Sequence, residues 1–144
     1  MTMAATRHLT VAEVTDIARI AFSGPDDPRT RTPETPTPRT PVPETRAPAL
    51  LASAVHRPRA RMFGTAAYTD PYEQAAALLH GIAANHPLVD GNKRAAWLAA
   101  ATFLALHGTD LAACDQDAAY GLVIDVASGT ESEIAVIAAR LRAL

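Results

Sequence analysis

The stretch from Asp70 to Gly108, DPYEQAAALLHGIAANHPLVDGNKRAAWLAAATFLALHG, holds two apolar segments and a short polar loop between them, and its reading decides the fold. Asp70-Pro71-Tyr72-Glu73 supplies an N-cap, a proline at the first helical position and an acid in the first turn. The helix it opens is predicted to run to about Asn85. Its apolar residues, among them Tyr72, Ala75, Ala76, Leu78, Leu79, Ile82 and Ala83, cover more than one face, so it should pack on several sides. From Ala95 to Leu106 the chain is apolar all round, which predicts a buried helix at the centre of the domain, stopped by His107-Gly108.

Working outward, Thr10-Val-Ala-Glu13 is a capping box, and Val11, Val14, Ile17, Ala18 and Ala21 follow at helical spacing, giving a first amphipathic helix that stops near Ser23 and Gly24. The segment at about 25–48 carries most of the chain's 11 prolines, in Thr-Pro and Pro-Glu-Thr units. Proline lacks a backbone donor and biases its predecessor to extended conformations, so this insertion is expected to be a polyproline-like or flexible flap. A short helix over about Ala49 to Val55 closes before Pro58. Beyond Gly108, helices are predicted over about Gln116 to Ala127 and about Ser132 to Arg142, the second opened by a capping box at Thr130 to Glu133. Strand-like alternation is absent. The candidates for extended structure are the flap and the residues around Met62 and Phe63.

At 144 residues the chain suits one hydrophobic core, and residues 1–144 are expected to form a single domain. It is 49% hydrophobic but 5% aromatic, and the recurring alanine blocks favour helices packed close together. The expected class is all-α: a bundle of about six helices with a central buried helix and a flexible flap.

A formal net charge of -2 without a dense basic block argues against nucleic acid as the principal ligand. The single cysteine, Cys114, can form no internal disulfide and reads as an ordinary helix-flank residue. No basic start with an apolar run follows the N-terminal methionine, and no apolar run approaches the ~20 residues of a membrane-spanning helix, so a cytoplasmic location is expected.

The densest cluster of reactive side chains is His86-Pro87-Leu88-Val89-Asp90-Gly91-Asn92-Lys93-Arg94. It leads directly into an apolar helix, which puts Gly91, Asn92 and Lys93 at that helix's N-terminus, where free N–H groups and the dipole attract anions. Gly91 permits close backbone approach to a ligand, and Lys93 and Arg94 add charge where a polyphosphate would lie. Asp90 suits a magnesium ion bridging phosphate oxygens, and His86 suits a general base at neutral pH. Phosphoryl or nucleotidyl transfer follows from that set. The same nine residues also read as a turn, a helix stop and two solvated cations, and residue chemistry leaves both readings open.

The string HPLVDGNKRAAWLAAATFLALHG resembles the motif HxFx(D/E)GN(G/K)R of the Fic superfamily, in the lysine-bearing version of its death-on-curing branch. LTVAEV, RAPALLASAVHRPRA from Arg46 to Ala60, DPYEQAAALLHGIAANHP and DVASGTESEIAVIAARL are similar to family segments in family order. The resemblance implies roles residue by residue. His86 is the general base toward a protein hydroxyl, Asp90 the magnesium ligand, and Gly91 the small loop residue. Asn92 contacts phosphate and shapes the loop, and Arg94 grips phosphates. Lys93, where adenylyl-transferring members carry glycine, implies that the γ-phosphate of ATP faces the target. The implied activity is that of a toxin phosphorylating a protein, by family precedent a threonine of elongation factor Tu, with a prevents-host-death antitoxin as partner. Adenylyl transfer, or partner binding without catalysis, are the alternatives.

The chain departs from the pattern in places. Leu88 replaces the usual phenylalanine as loop anchor, and Trp97 stands where adenylyl transferases often carry a second arginine. Ala84 replaces an arginine of some relatives, and Ala47 and Ala49 replace Asp and Gly beside Arg46. Among residues outside the motif, His80 reads first as a hydrogen-bonded core histidine, His107 as a helix-end residue and His56 as a surface residue. Tyr68 and Tyr72 read as packing residues before pocket residues.

Overall fold

The computed structural model describes residues 6–23, 47–88 and 91–144. Six α-helices are found among them: α1 (Val11–Ser23), α2 (Pro48–His56), α3 (Pro71–Asn85), α4 (Asn92–Leu106), α5 (Gln116–Ser128) and α6 (Ile134–Arg142). A 3-10 turn, Arg57–Arg59, follows α2 and leads into a two-stranded hairpin, β1 (Arg61–Met62) and β2 (Thr65–Ala66). The register Arg61↔Ala66, Met62↔Thr65 leaves Phe63-Gly64 as a two-residue loop. Both have positive φ (52° and 79°), as a tight hairpin turn of this length requires. The all-α expectation holds, with this hairpin at the place where the chain hinted at extended structure. The proline-rich insertion expected at about 25–48 falls outside the described residues up to its end, where Pro48 opens α2 at its first position.

Local signals place the helices well. Thr10 and Glu13 form the reciprocal capping box, Thr10 N–H donating to Glu13 Oε1 and Glu13 N–H to Thr10 Oγ1, each at 3.1 Å. Asp70 caps α3 by accepting from Tyr72 N–H at 2.8 Å, and Asp115 caps α5 by accepting from Asp117 and Ala118 N–H. The box expected at Thr130 to Glu133 does not form. Thr130 Oγ1 bonds Ser128 Oγ instead, Glu131 accepts from Glu133 N–H, and α6 begins at Ile134. Ser, Thr and Glu close to a glycine C-cap have competing local partners, and here those partners win.

The hub of the bundle is α3, packed on α2, α4, α5, α6 and the 3-10 turn. From Gln74 to Ala83 its residues are buried except His80. Helix α4 was expected at the centre, yet Trp97, Leu98, Ala101 and Thr102 are half-buried and Ala105 and Leu106 exposed, so one face stays open. Its all-round apolarity came largely from alanine. A single methyl gains only ~0.8 kcal/mol on burial, so alanine marks an open face and a packed one equally. The core proper is Phe103 and Leu104 of α4 against Leu78, Leu79 and Ile82 of α3, with Val14, Val55, Leu122, Val126, Ile137 and Leu141 from the surrounding helices. Among the described residues no helix is long and apolar enough to cross a membrane.

Candidate active site

The loop between α3 and α4 is shaped by two left-handed residues and one carboxamide. His86 is the C-cap of α3 at φ 48°, ψ 55°. A side chain in that region costs about 1–2 kcal/mol, which the surrounding packing must offset. It turns the chain out of α3 and leaves the imidazole half-buried at the loop's start. Pro87 is fully buried, and its carbonyl accepts from Ala47 N–H at 3.1 Å, tying the loop to the start of α2. Leu88, the expected loop anchor, is 3% exposed and belongs to the core. Leucine therefore occupies the core slot without an aromatic ring.

Asn92 is the first residue of α4, and its side chain is committed to the loop. Oδ1 accepts from Leu88 N–H and Nδ2 donates to Leu88 O, each at 2.9 Å. The carboxamide thus pairs with both polar groups of one residue and closes the loop on itself. Of the two roles expected for Asn92, shaping the loop is the one these bonds perform. Gly91, at φ 75°, is the N-cap of α4 and accepts from Ala95 N–H at 2.9 Å. Among the described residues no atom would meet a Cβ on Gly91 within 4 Å, and its backbone angle is what calls for glycine.

The N-cap of α4 is Gly91, which brings no side chain to cap the helix, and the first-turn N–H groups of a helix carry the positive end of its dipole. Lys93 and Arg94 are exposed on that turn, and neither has an ion-pair partner among the described residues. Asp90, with Val89, lies outside the described residues. Among those that are described, no group of three or more His, Cys, Asp or Glu is placed to hold a metal. A magnesium site built on one carboxylate plus substrate phosphates needs no such group, because this ion keeps several waters and borrows phosphate oxygens. Asp90 directly precedes Gly91 in the chain, and a carboxylate is a donor of the type such an ion takes.

From Lys93 and Arg94 an open cleft of about 350 Å³ runs between α4 and α5, lined further by Trp97, Gln116, Tyr120 and Val123. The α5 residues escaped the sequence reading. Nothing in the pattern of one chain says which face of a later helix will meet the motif.

His80 and His107 are engaged elsewhere. Arg57 Nη1 donates to His80 Nδ1 at 2.6 Å, so the neutral ring carries its proton on Nε2. Burial, and then the Arg57 charge, hold His80 below the ordinary imidazole value. Arg7 N–H donates to His107 Nε2 at 3.2 Å, which leaves Nδ1–H to donate to Phe103 O at 2.7 Å. His56 is exposed, and Cys114 is half-buried beside the start of α5. Tyr72 packs against the core beneath the Arg142 guanidinium, and Tyr68 uses its carbonyl to accept from Gln74.

This arrangement offers an imidazole, a helix start with a glycine N-cap and two cations without an ion-pair partner among the described residues, around one pinned loop, the elements of an anion-directed transfer site. A family model described as the Fic/DOC family matches residues 8–104, from before α1 to near the end of α4. Toxin Doc of Mycolicibacterium smegmatis is 50% identical over 93 residues, which cover 64% of this chain and 71% of that protein. The chain belongs to the Fic/DOC family.

Proposed function

We propose that the protein is a toxin that transfers the γ-phosphate of ATP to a hydroxyl of a protein target and so blocks translation. What carries the reading is the junction of α3 and α4: His86 held in a left-handed cap, followed by a loop that ends in a helix start with a glycine N-cap and exposed Lys93 and Arg94. His86 takes the proton from the attacking hydroxyl, a step worth roughly 10²- to 10⁴-fold in rate. Gly91, the α4 N–H groups, Lys93 and Arg94 hold and orient the phosphates, and Asn92 and Leu88 keep the loop in register. Magnesium, held by Asp90 and phosphate oxygens, would neutralise charge on the nucleotide.

Lys93 supports phosphoryl over adenylyl transfer. A long cationic side chain at the helix start fills the room a small residue would leave there and favours a terminal, more highly charged phosphate at the reacting position. By the family's precedent the target is a threonine of elongation factor Tu and the controlling partner a prevents-host-death antitoxin. The relative named Toxin Doc supports the toxin reading. Expression of the chain in bacteria without an antitoxin tests it: growth arrest that disappears in His86→Ala is expected, and unimpaired growth with soluble, folded protein would overturn it.

A further inference from the structure

Resting on the transfer reading above, we propose that Ala47 is a positioning residue for His86 and that α2 acts as a splint, holding the end of α3 and the following loop in one fixed relation. The two backbone groups of Ala47 belong to different structures. Its carbonyl accepts from Leu51 N–H at 3.1 Å and starts the α2 ladder, while its N–H, outside that ladder, donates to Pro87 O at 3.1 Å. Its backbone is extended (φ −145°, ψ 90°), as an N-cap's is. Further along α2, Ala54 meets α3 at Gly81, where a Cβ on the glycine would lie 2.8 Å from Ala54 Cβ. A helix covers the distance between those two points, Ala47 to Ala54, in about 10 Å. Helix α2 therefore touches the chain on both sides of His86, at Gly81 before it and at Pro87 after it, with Leu51 buried between the two contacts.

His86 needs such support, because its left-handed backbone at φ 48° is strained for any residue but glycine. Pro87 has no N–H of its own, and its ring locks φ, so a shift of its carbonyl passes directly to the peptide it shares with His86. That proline is fully buried, where a carbonyl without a donor is costly, and Ala47 supplies the donor. The Asn92 carboxamide holds Leu88 from within the loop. The Ala47 bond comes from a different helix, far earlier in the chain, and sets the loop against the bundle. A displacement of the first turn of α2 thus reaches the imidazole through one proline.

Replacing the Ala47 amide by an ester in the full chain, with lactic acid in place of alanine, removes the donor and keeps the side chain. The same change at Leu51 breaks its bond to Ala47 O and spares the Pro87 bond, so it is the matched control. Hydrogen exchange of the Leu88 amide, taken relative to Leu79 in the α3 core, reads the loop, and steady-state transfer from Mg-ATP reads the reaction. The Ala47 ester is expected to lose Leu88 protection and kcat on the order of tenfold each, the scale of one backbone hydrogen bond, with KM for Mg-ATP unchanged. The Leu51 ester should keep both. Gly81→Ala presses α2 away at its other contact, so it should loosen Leu88 in the same sense, and it decides the matter if the Ala47 ester fails to fold. Leu88 held as firmly in these two variants as in wild type, or loosened as much by the Leu51 ester, overturns the splint. Absence of transfer in wild type overturns the reading of the function, while the exchange comparison still decides the splint.

Discussion

The Asn92 carboxamide and the Leu88 backbone form a closed pair, with Oδ1 taking the Leu88 N–H and Nδ2 giving to the Leu88 carbonyl, both at 2.9 Å. Asn92→Ala leaves two backbone groups in a loop whose neighbours are buried, and it is expected to lower stability by about 1–3 kcal/mol. Asn92→Asp retains the acceptor and loses the donor. It should lie between wild type and Asn92→Ala in urea denaturation, and both variants should lose most transfer activity because the loop is no longer held.

His86 trades stability for position. Its left-handed backbone is strained for any residue but glycine, so His86→Gly is expected to raise stability by about 1 kcal/mol while lowering phosphoryl transfer roughly 10²- to 10⁴-fold. Thermal unfolding and a single-turnover assay on the same preparation check both halves. A destabilised His86→Gly would show that the imidazole contributes packing that its half-burial does not suggest.

Much of this was legible in the chain and some was not. Capping residues Thr10 and Asp70 mark helix starts because each satisfies N–H groups within three residues, a purely local event. The loop from His86 to Arg94 stood out for a similar reason, as a run of chemistry between two apolar segments. The several-sided packing of α3 was legible in the apolar residues on more than one of its faces; the open face of α4 was not, since alanine reads alike whichever side is covered. Tyr120 and Gln116 join Lys93 and Trp97 only through the packing of α5 on α3 and α4, which no local pattern encodes.

Gly81 illustrates such a tertiary constraint. A Cβ there would lie 2.8 Å from Ala54 Cβ and 3.0 Å from its Cα, where α2 crosses α3. Gly81→Ala should therefore destabilise by about 1–3 kcal/mol, although alanine in a helix interior ordinarily gains about 1 kcal/mol over glycine. Denaturant titration decides, and a stabilised variant would mean that α2 shifts freely.

His80 should make stability fall in mild acid. Burial first, and Arg57 second, depress its folded-state pKa, so the unfolded chain takes up the proton more readily. The contribution is complete above the unfolded value of about 6.5 and is lost as pH falls below it toward the depressed folded value. His80→Gln keeps an acceptor for Arg57 and does not titrate. Melting temperatures across this range should fall less steeply for that variant than for wild type, and parallel profiles would refute the assignment.

Phosphoryl transfer itself is tested most directly by incubating the purified protein and magnesium in a bacterial translation extract with ATP labelled at either the α or the γ position, beside His86→Ala. The account predicts a labelled protein from γ-labelled ATP alone, absent with His86→Ala. Label arriving from the α position would contradict it and assign adenylyl transfer to the same loop.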